Sequence, residues 1–393
     1  MRVTILGGGP AGLYCGLLLK KAAPAHEITI LERNPAGATY GWGVVFSDRT
    51  LASFREADFP TYQAITNRFV TWDAIDTFYR GQRISCGGHA FAGLARKELL
   101  AILQARCAEL GVALHFEREV RDLTELPPHD LLIAADGVNG LTRPAYAADF
   151  RPRVEMGHAK YVWFGTDLVL DAFTFIFREN AHGFFQVHAY PFAGELGTFI
   201  VETDEATWRR AGLAEASEAE SIAYCERLFT EELRGHRLLG NRSLWGSFPT
   251  LKCAAWHTGN IVLLGDSAHT AHFSIGSGTK LAMEDAIALA NALGQYADLE
   301  RALNEYELTR RPAVEALQQA ARESQRYFET LARHQHLPTM PFTFNLLTRS
   351  GRISYDDLRL RDPGFGAGVD QWFGSRFLPT IPGKMGHHLF ASV

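Results

Sequence analysis

The period of hydrophobic and polar positions changes several times along the chain, and each change marks an element. Residues 2–6, Arg-Val-Thr-Ile-Leu, form a short apolar run, and residues 28–31, Ile-Thr-Ile-Leu, form a second. Between them lie three glycines and a helix-like apolar stretch. The order reads as strand, tight turn, helix, strand. Residues 111–116 and 130–135 read as two more strands. From about residue 151 the pattern shortens and partly alternates. Segments 160–165, 173–178, 183–190 and 197–202 are rich in aromatics and predict a mostly antiparallel sheet. Helical spacing appears at 97–111, 204–212 and 217–234. A buried strand returns at 260–264 and a helix at 279–293. Residues 298–335 predict one long helical region, interrupted at Pro312. The stretch 336–393 is rich in Pro and Gly, with weak periodicity, and reads as a tail.

The first turn carries the spacing Gly7-x-Gly9-Pro10-Ala11-Gly12. Gly7 permits a sharp exit from the strand, Gly9 lets backbone approach a pyrophosphate, and Gly12 lets the helix pack close to the sheet. The helix start offers free N–H groups and a partial positive charge to phosphates. Glu32, followed by Arg33, ends the second strand 20 residues after Gly12. A carboxylate there can accept both ribose hydroxyls and would repel a 2′-phosphate, so the adenosine belongs to FAD or NAD rather than NADP. Unaided, the stretch does not separate those two.

Composition narrows the class. The chain has 393 residues, 47% hydrophobic and 21% charged, enough for a large core and about two domains. With a net charge of −5 and no basic block, nucleic acid is not an expected partner. Five scattered cysteines without a C-x-x-C pair suggest reduced thiols in a cytoplasmic protein. The apolar start belongs to a strand rather than to a signal peptide, and no apolar run reaches membrane-spanning length. No metal-ligand spacing of His and Cys is present.

Three further stretches carry candidate chemistry. Arg96 opens the 97–111 helix, where a cation is electrostatically disfavoured; a nearby anion would explain it, and a solvated surface arginine is the plain alternative. Asp136-Gly137 ends the strand at 130–135, where α/β folds place ligands. Gly265-Asp266 ends the strand at 260–264, and a loop containing His272, Phe273, Gly276 and Gly278 leads to a helix start at Thr279. The tail holds Arg349, Arg352, Arg359 and Arg361, which could meet phosphates or simply be solvated.

The three motifs together resemble the class A flavoprotein monooxygenases, the p-hydroxybenzoate hydroxylase-like family. The resemblance covers roughly residues 1–335. The loop Gly-Asp-Ser-Ala-His-Thr-Ala-His-Phe-Ser-Ile-Gly lacks the usual prolines. With Tyr40-Gly-Trp-Gly and Thr348-Arg-Ser-Gly-Arg352, it looks like a narrower aryl-CoA branch, beside which an indole hydroxylase also stands. The resemblance implies an α/β fold: a Rossmann-like FAD-binding domain (1–75, 95–150 and 258–297), an inserted antiparallel-sheet substrate domain (76–94 and 151–257), and C-terminal helices and tail (298–393). It implies tightly bound, non-covalent FAD, transient NADH or NADPH, and O2. Ring hydroxylation would proceed through a flavin C4a-hydroperoxide, on an aromatic small molecule, free or CoA-linked, such as salicylyl-CoA. An indole-type substrate, an oxygen-independent flavin reductase on the same fold, and a non-enzymatic FAD module are the alternatives. The protein would be a monomer or homodimer.

The same resemblance assigns Gly7, Gly9, Pro10, Ala11, Gly12, Glu32, Arg33, Arg96, Asp136, Gly137, Asp266, Gly276, Gly278 and Thr279 to the cofactor. Alternation puts Tyr161, Trp163, Phe175, Phe177, His188 and Tyr190, or a subset of them, on one face of the predicted sheet, which could roof an aromatic substrate or simply pack on helices. The resemblance sets Tyr161, Trp163, Phe175, His188, Tyr190 and Phe273 around the substrate. A base that takes the proton of a ring hydroxyl would raise ring nucleophilicity. His188 and His272 are the candidates, each equally readable as a core histidine.

Overall fold

The computed structural model describes residues 1–39 and 41–377. Tyr40 of the glycine–tryptophan segment and residues 378–393 of the expected tail lie outside the described residues.

Five parallel strands form the scaffold of the N-terminal half: β1 (Arg2–Leu6), β2 (Glu27–Leu31), β7 (Ala113–His115), β8 (Leu131–Ala134) and β13 (Ile261–Leu263). Their order is β13-β8-β1-β2-β7, with a short antiparallel strand, His257–Thr258, outside β13. Strand β1 is central; β8, which precedes the second motif, pairs with it, and β13, which precedes the third, pairs with β8 on the far side. All three motifs therefore emerge at the carboxyl ends of neighbouring parallel strands, although more than 250 residues separate the first from the last.

Helix α1 (Pro10–Ala22) shows how the sequence builds this core. Proline occupies its first turn, Lys20 and Lys21 its last, and every residue from Pro10 to Leu19 is buried. It packs against β2, α2 (Arg96–Leu110) and α4 (Gly278–Gln295). Burial on all faces is why its apolar run carries no polar stripe.

The second sheet contains β4 (Ile75–Tyr79), β5 (Gln82–Cys86), β9 (Ala159–Thr166), β10 (Phe173–Asn180), β11 (Gly183–Ala193) and β12 (Leu196–Asp204). Leu238–Leu239 pairs at one edge, and the order from there is β9-β12-β11-β10-β4-β5. Only the β10–β4 pair is parallel. Alternation divides its residues cleanly. Val162, Phe164, Phe185, Val187, Phe199 and Val201 face outward onto α3 (Glu218–Leu228) and Phe229. Tyr161, Trp163, Phe175, His188, Tyr190 and Glu202 occupy the other face. Between the two sheets, β3 (Gly43–Ser47) and β6 (Phe91–Ala95) pair antiparallel, with Val70–Trp72 beyond β6.

Two expectations fail in the C-terminal region. Helix α5 (Leu299–Glu329) runs through Pro312 without a break. Proline deprives the Leu308 carbonyl of its donor, but Leu308 is 70% exposed, so water can satisfy it. The stretch read as an irregular tail contains α6 (Thr339–Thr348), α7 (Tyr355–Arg361) and α8 (Pro363–Phe377). Their apolar residues Phe342, Leu346, Leu358, Phe365 and Val369 form one core with Tyr79, Phe175, Phe177 and Phe328. Phe342 stacks on Tyr79 with ring centroids 4.0 Å apart.

Candidate active site

The glycine turn has the geometry its spacing demands. Gly7 has φ +109°, and a Cβ there would lie 2.2 Å from the Ala135 carbonyl oxygen. A Cβ at Gly12 would lie 2.1 Å from the Gly7 carbonyl oxygen. At Gly9 a Cβ would meet nothing within 4 Å, so that face of the turn opens outward. Glu32 closes the turn from the next strand: Gly8 N–H donates to its Oε2 at 2.8 Å, and Asn34 donates backbone N–H and side-chain amide to Oε1 at 2.8 and 2.6 Å.

A crevice of about 520 Å³ runs from this turn along the strand ends. Gly7, Gly9, Glu32, exposed Arg33, Arg96, Asp136 and Gly137 are among the residues lining it. Asp136 turns inward: Thr142 donates N–H and Oγ1–H to its Oδ2 at 2.9 and 3.0 Å, and Ser267 Oγ donates to its Oδ1 at 2.9 Å. The Ser267 hydroxyl also accepts from Gly137 N–H at 2.9 Å. Buried Arg143 donates to the carbonyls of Ser267, at 2.9 Å, and Val138. Asp136 thus clasps the second motif to the third rather than presenting a free carboxylate.

Gly265, at φ +64°, sits where α1 and α4 converge; a Cβ would come within 3.1 Å of Ala11 and 3.2 Å of Ala282. The next residue, Asp266, keeps an exposed carboxylate although protein surrounds it. Surrounding protein pushes its pKa up, with His269 and Arg96 pulling the other way. The Arg96 guanidinium makes no hydrogen bond and no ion pair among the described residues. Burial lowers its pKa, and the Asp266 charge opposes that. A cation left without a hydrogen-bonded acceptor beside an open glycine turn is what an anionic dinucleotide would satisfy, so the residues fit FAD.

Beyond Asp266 the loop turns back on itself. His269 meets Asp285 at 2.7 Å, and Arg310 holds the other Asp285 oxygen at 2.8 Å, which fixes α4 from behind. Gly276 has φ +61° and approaches Val45 of β3. Gly278 and Thr279 open α4, whose N-cap Ser277 makes no side-chain cap and leaves first-turn N–H groups without intrahelical partners. Phe273 extends from this loop to the inward face of the second sheet. Its ring lies 4.8 Å from Tyr161, 6.0 Å from Trp163 and 5.5 Å from His188, centroid to centroid.

At the floor of that aromatic group lies a buried polar cluster. His188 Nε2 is 3.0 Å from Glu202 Oε2, and His272 Nε2 is 4.0 Å from Glu202 Oε1. Glu202 is fully buried, and the histidines are 1% and 3% exposed. Burial lowers the His188 pKa against the pull of Glu202, and takes His272 down to about 4. Burial alone would raise the Glu202 carboxyl; the His188 hydrogen bond, with the neighbouring His272 ring, outweighs it and holds it below the usual range. Ser274 donates to His272 Nδ1 from N–H at 3.3 Å and sits 2.9 Å away through Oγ. Arg349, at the end of α6, donates to Ser324 Oγ at 2.8 Å, Ser274 O at 2.9 Å and Leu346 O at 2.7 Å.

Of the six residues expected around a substrate, Tyr161, Trp163, His188 and Phe273 come together. Phe175 flanks His188 from below at 5.3 Å. Tyr190 shares the face but stacks with Trp72 and Phe173, and its hydroxyl donates to Gly43 O at 3.0 Å. Arg349 is spent on the loop and does not await a phosphate, and Arg361 lies 3.3 Å from His89 Nδ1. Glu202, Ser267, Arg143 and Asn34 receive no role from the sequence, although Arg143 and Ser267 stand beside the second and third motifs. Glu202 left a trace, as a carboxylate at an inward position of an otherwise apolar strand. Among the described residues no group of three His, Cys, Asp or Glu could hold a metal, and no helix is long and apolar enough to cross a membrane.

Comparison with known proteins supplies the context. Residues 129–321 match the family model of an FAD binding domain. The chain is 43% identical over 384 residues to a salicyloyl-CoA 5-hydroxylase of Streptomyces sp, covering 95% of this chain and 74% of that protein. It is 38% identical to the 3-hydroxy-4-methyl-anthranilyl-[aryl-carrier protein] 5-monooxygenase of Streptosporangium sibiricum, covering 93% and 98%. The fold matches a crystal structure of 2-methyl-3-hydroxypyridine-5-carboxylic acid oxygenase with a TM-score of 0.70 at 18% identity, covering 92% of this chain and 98% of that one.

Proposed function

The chain belongs to the class A FAD-dependent aromatic monooxygenases, and from that membership we propose that it hydroxylates an aryl thioester, salicylyl-CoA, at ring position 5 to give gentisyl-CoA. The likeness to the salicyloyl-CoA hydroxylase across 95% of the chain carries this reading. Ring chemistry supports it. Position 5 is para to the hydroxyl of a salicylyl group and to the amine of an anthranilyl group, so both relatives act at the carbon that an ortho donor activates. Bound FAD, with NADH or NADPH as transient reductant, supplies the activation of O2.

The protein's own residues hold and orient the reactants. The first turn, with Gly7, Gly9, Pro10, Ala11 and Gly12, gives the pyrophosphate an N–H-lined approach, and Glu32 takes the ribose hydroxyls. Arg33 borders the adenosine side, and Arg96 faces the phosphates or ribitol. Asp266 accepts from ribitol hydroxyls. Asp136 holds Gly137 in position, while Gly276, Gly278 and Thr279 aim loop and helix N–H groups at the flavin ring. Tyr161, Trp163 and Phe273 enclose the aromatic ring and exclude water. The strand pairings support the three-part domain division expected from sequence. A cytoplasmic monomer or homodimer completes the proposal.

The test is a substrate panel. Salicylyl-CoA and anthraniloyl-CoA are compared with their free acids and with indoles, by NADH oxidation, oxygen consumption and product mass. Salicylyl-CoA should accelerate NADH oxidation and gain one oxygen atom. Turnover of the free acid but not the thioester would overturn the substrate assignment, and turnover without oxygen uptake would overturn hydroxylation.

A further inference from the structure

We propose that Glu202 and His188 form a proton-accepting dyad, in which Glu202 fixes the His188 tautomer so that bare Nδ1 takes the proton of the substrate's ring hydroxyl. The inference rests on the aromatic substrate proposed above, but its first observations concern the protein alone. His188 Nε2 lies 3.0 Å from Glu202 Oε2. A carboxylate can only accept, so Nε2 carries the hydrogen and Nδ1 keeps its lone pair. Nδ1 is buried and has no hydrogen-bond partner. Its ring is flanked by Phe175, Phe273 and Phe328, with centroids 5.3, 5.5 and 4.6 Å away. A buried, unpaired nitrogen in such surroundings is costly unless a ligand completes it.

His272 is the lesser candidate on the same geometry. Its Nδ1 already accepts the Ser274 N–H, and its Nε2 stands 4.0 Å from Glu202 Oε1. It borders the dyad without an open lone pair. The charged and titratable groups facing the dyad are His272 and, through space, Arg349, with the Tyr161 and Tyr327 hydroxyls beyond. Arg349 remains a cation, with burial lowering its pKa to about 10. It balances ionised Glu202 and leaves both histidines neutral.

The step balances within the site. The ring O–H bond breaks, its electron pair stays on oxygen, and the proton forms a new bond to Nδ1. The imidazolium so formed is stabilised by the adjacent Glu202 carboxylate. The phenolate pushes density to the para carbon, the position assigned above. Glu202 touches no substrate and is a positioning residue; His188 is the base.

The tautomer is read first without substrate, by 15N NMR of histidine-labelled, flavin-loaded protein, with His188→Gln giving the assignment. Nδ1 should be unprotonated near neutral pH in the wild type, and Glu202→Gln should lose that preference. A proton on Nδ1 overturns the dyad. Salicylyl-CoA is then added to oxidised enzyme without NADH, and the bound phenol is titrated by its phenolate absorbance. Its midpoint should rise by about one pH unit or more in Glu202→Gln and His188→Gln, and hydroxylation at neutral pH should fall about 10²-fold or more in His188→Gln. Equal midpoints in bound wild type and Glu202→Gln overturn the dyad and leave the substrate assignment intact. A bare Nδ1 in an enzyme that does not bind salicylyl-CoA supports the dyad and removes the substrate assignment instead.

Discussion

Gly9 and Gly12 lie three residues apart in the same turn, yet replacing each by alanine should have opposite consequences. At Gly12 a Cβ would lie 2.1 Å from the Gly7 carbonyl oxygen and 3.2 Å from both Ala135 Cβ and Ile5 Cγ2. The nearest of these atoms is backbone and cannot swing away. Overpacking of this kind costs about 1–3 kcal/mol, against a helix-propensity gain of about 0.8–1 kcal/mol. Gly12→Ala should therefore lose up to about 2 kcal/mol before any ligand is considered. Gly9 has φ −76° and ψ −179°, a conformation open to any residue, and its Cβ would meet nothing within 4 Å. The entropy gained from restricting the unfolded chain, about 0.4–1 kcal/mol, is offset by alanine's poorer N-capping. The stability of flavin-free Gly9→Ala should stay within about 0.5 kcal/mol of wild type. The methyl group projects instead toward the open side of the turn, where the pyrophosphate must come close. A 100-fold loss of FAD affinity there removes about 2.7 kcal/mol of ligand-derived stabilisation. Thermal melts of flavin-stripped protein and fluorescence titration with FAD separate the two effects. Wild-type FAD affinity in Gly9→Ala, or a flavin-free melt as depressed as that of Gly12→Ala, would refute the reasoning.

Two further predictions follow from charges in the fold. Arg96→Met removes a half-buried cation that has no hydrogen bond among the described residues, so flavin-free stability should hold or rise while FAD affinity falls tenfold or more; a destabilised flavin-free protein in the same melts would count against the assignment. Asp58 is fully buried, salt-bridged by Arg106 at 3.0 Å and Lys21 at 3.3 Å, and caps the helix Phe59–Thr66. Burial alone would raise its pKa, but the hydrogen bonds from Arg106 and Thr61 bring it below the usual value. A depressed folded pKa gives stability that is present above the unfolded value, about 3.9, and lost as pH falls through the folded one. Asp58→Asn should thus cost about 3–5 kcal/mol at pH 7, with the gap to wild type closing below about pH 4 in urea titrations.

The local chemistry of the cofactor turn was legible in the sequence because it is carried by consecutive residues. Gly7, Gly9, Gly12 and Glu32 need only one βαβ unit to acquire their roles. The alternation that puts Tyr161, Trp163 and His188 on one face was legible for the same reason. What stayed hidden depends on contacts between distant segments. Ser267 looks like filler until β13 lies beside β8, where its hydroxyl meets Asp136 and Gly137. Arg349 read as a phosphate contact or a solvated charge because its partners Ser274 and Ser324 lie 75 and 25 residues away. The C-terminal helices lack a clear period because Phe342 and Phe365 pack onto the substrate sheet and α5 rather than onto one neighbouring helix. Pro312 misled because a lost helix bond is cheap on a wet face.

The placement of the three motifs on adjacent strands has a consequence for how the enzyme is made. The first turn and its two strands end by residue 31, yet β8 and, beyond it, β13 come from residues 131–134 and 261–263. Closing such distant pairs is the slow, entropically expensive part of folding. Flavin capture is therefore deferred until residues 261–263 have been synthesised and docked. Its bound fraction registers whether the farthest strand has found its seat, and a nascent chain that stalls before residue 261 carries a well-formed glycine turn with nothing yet to hold.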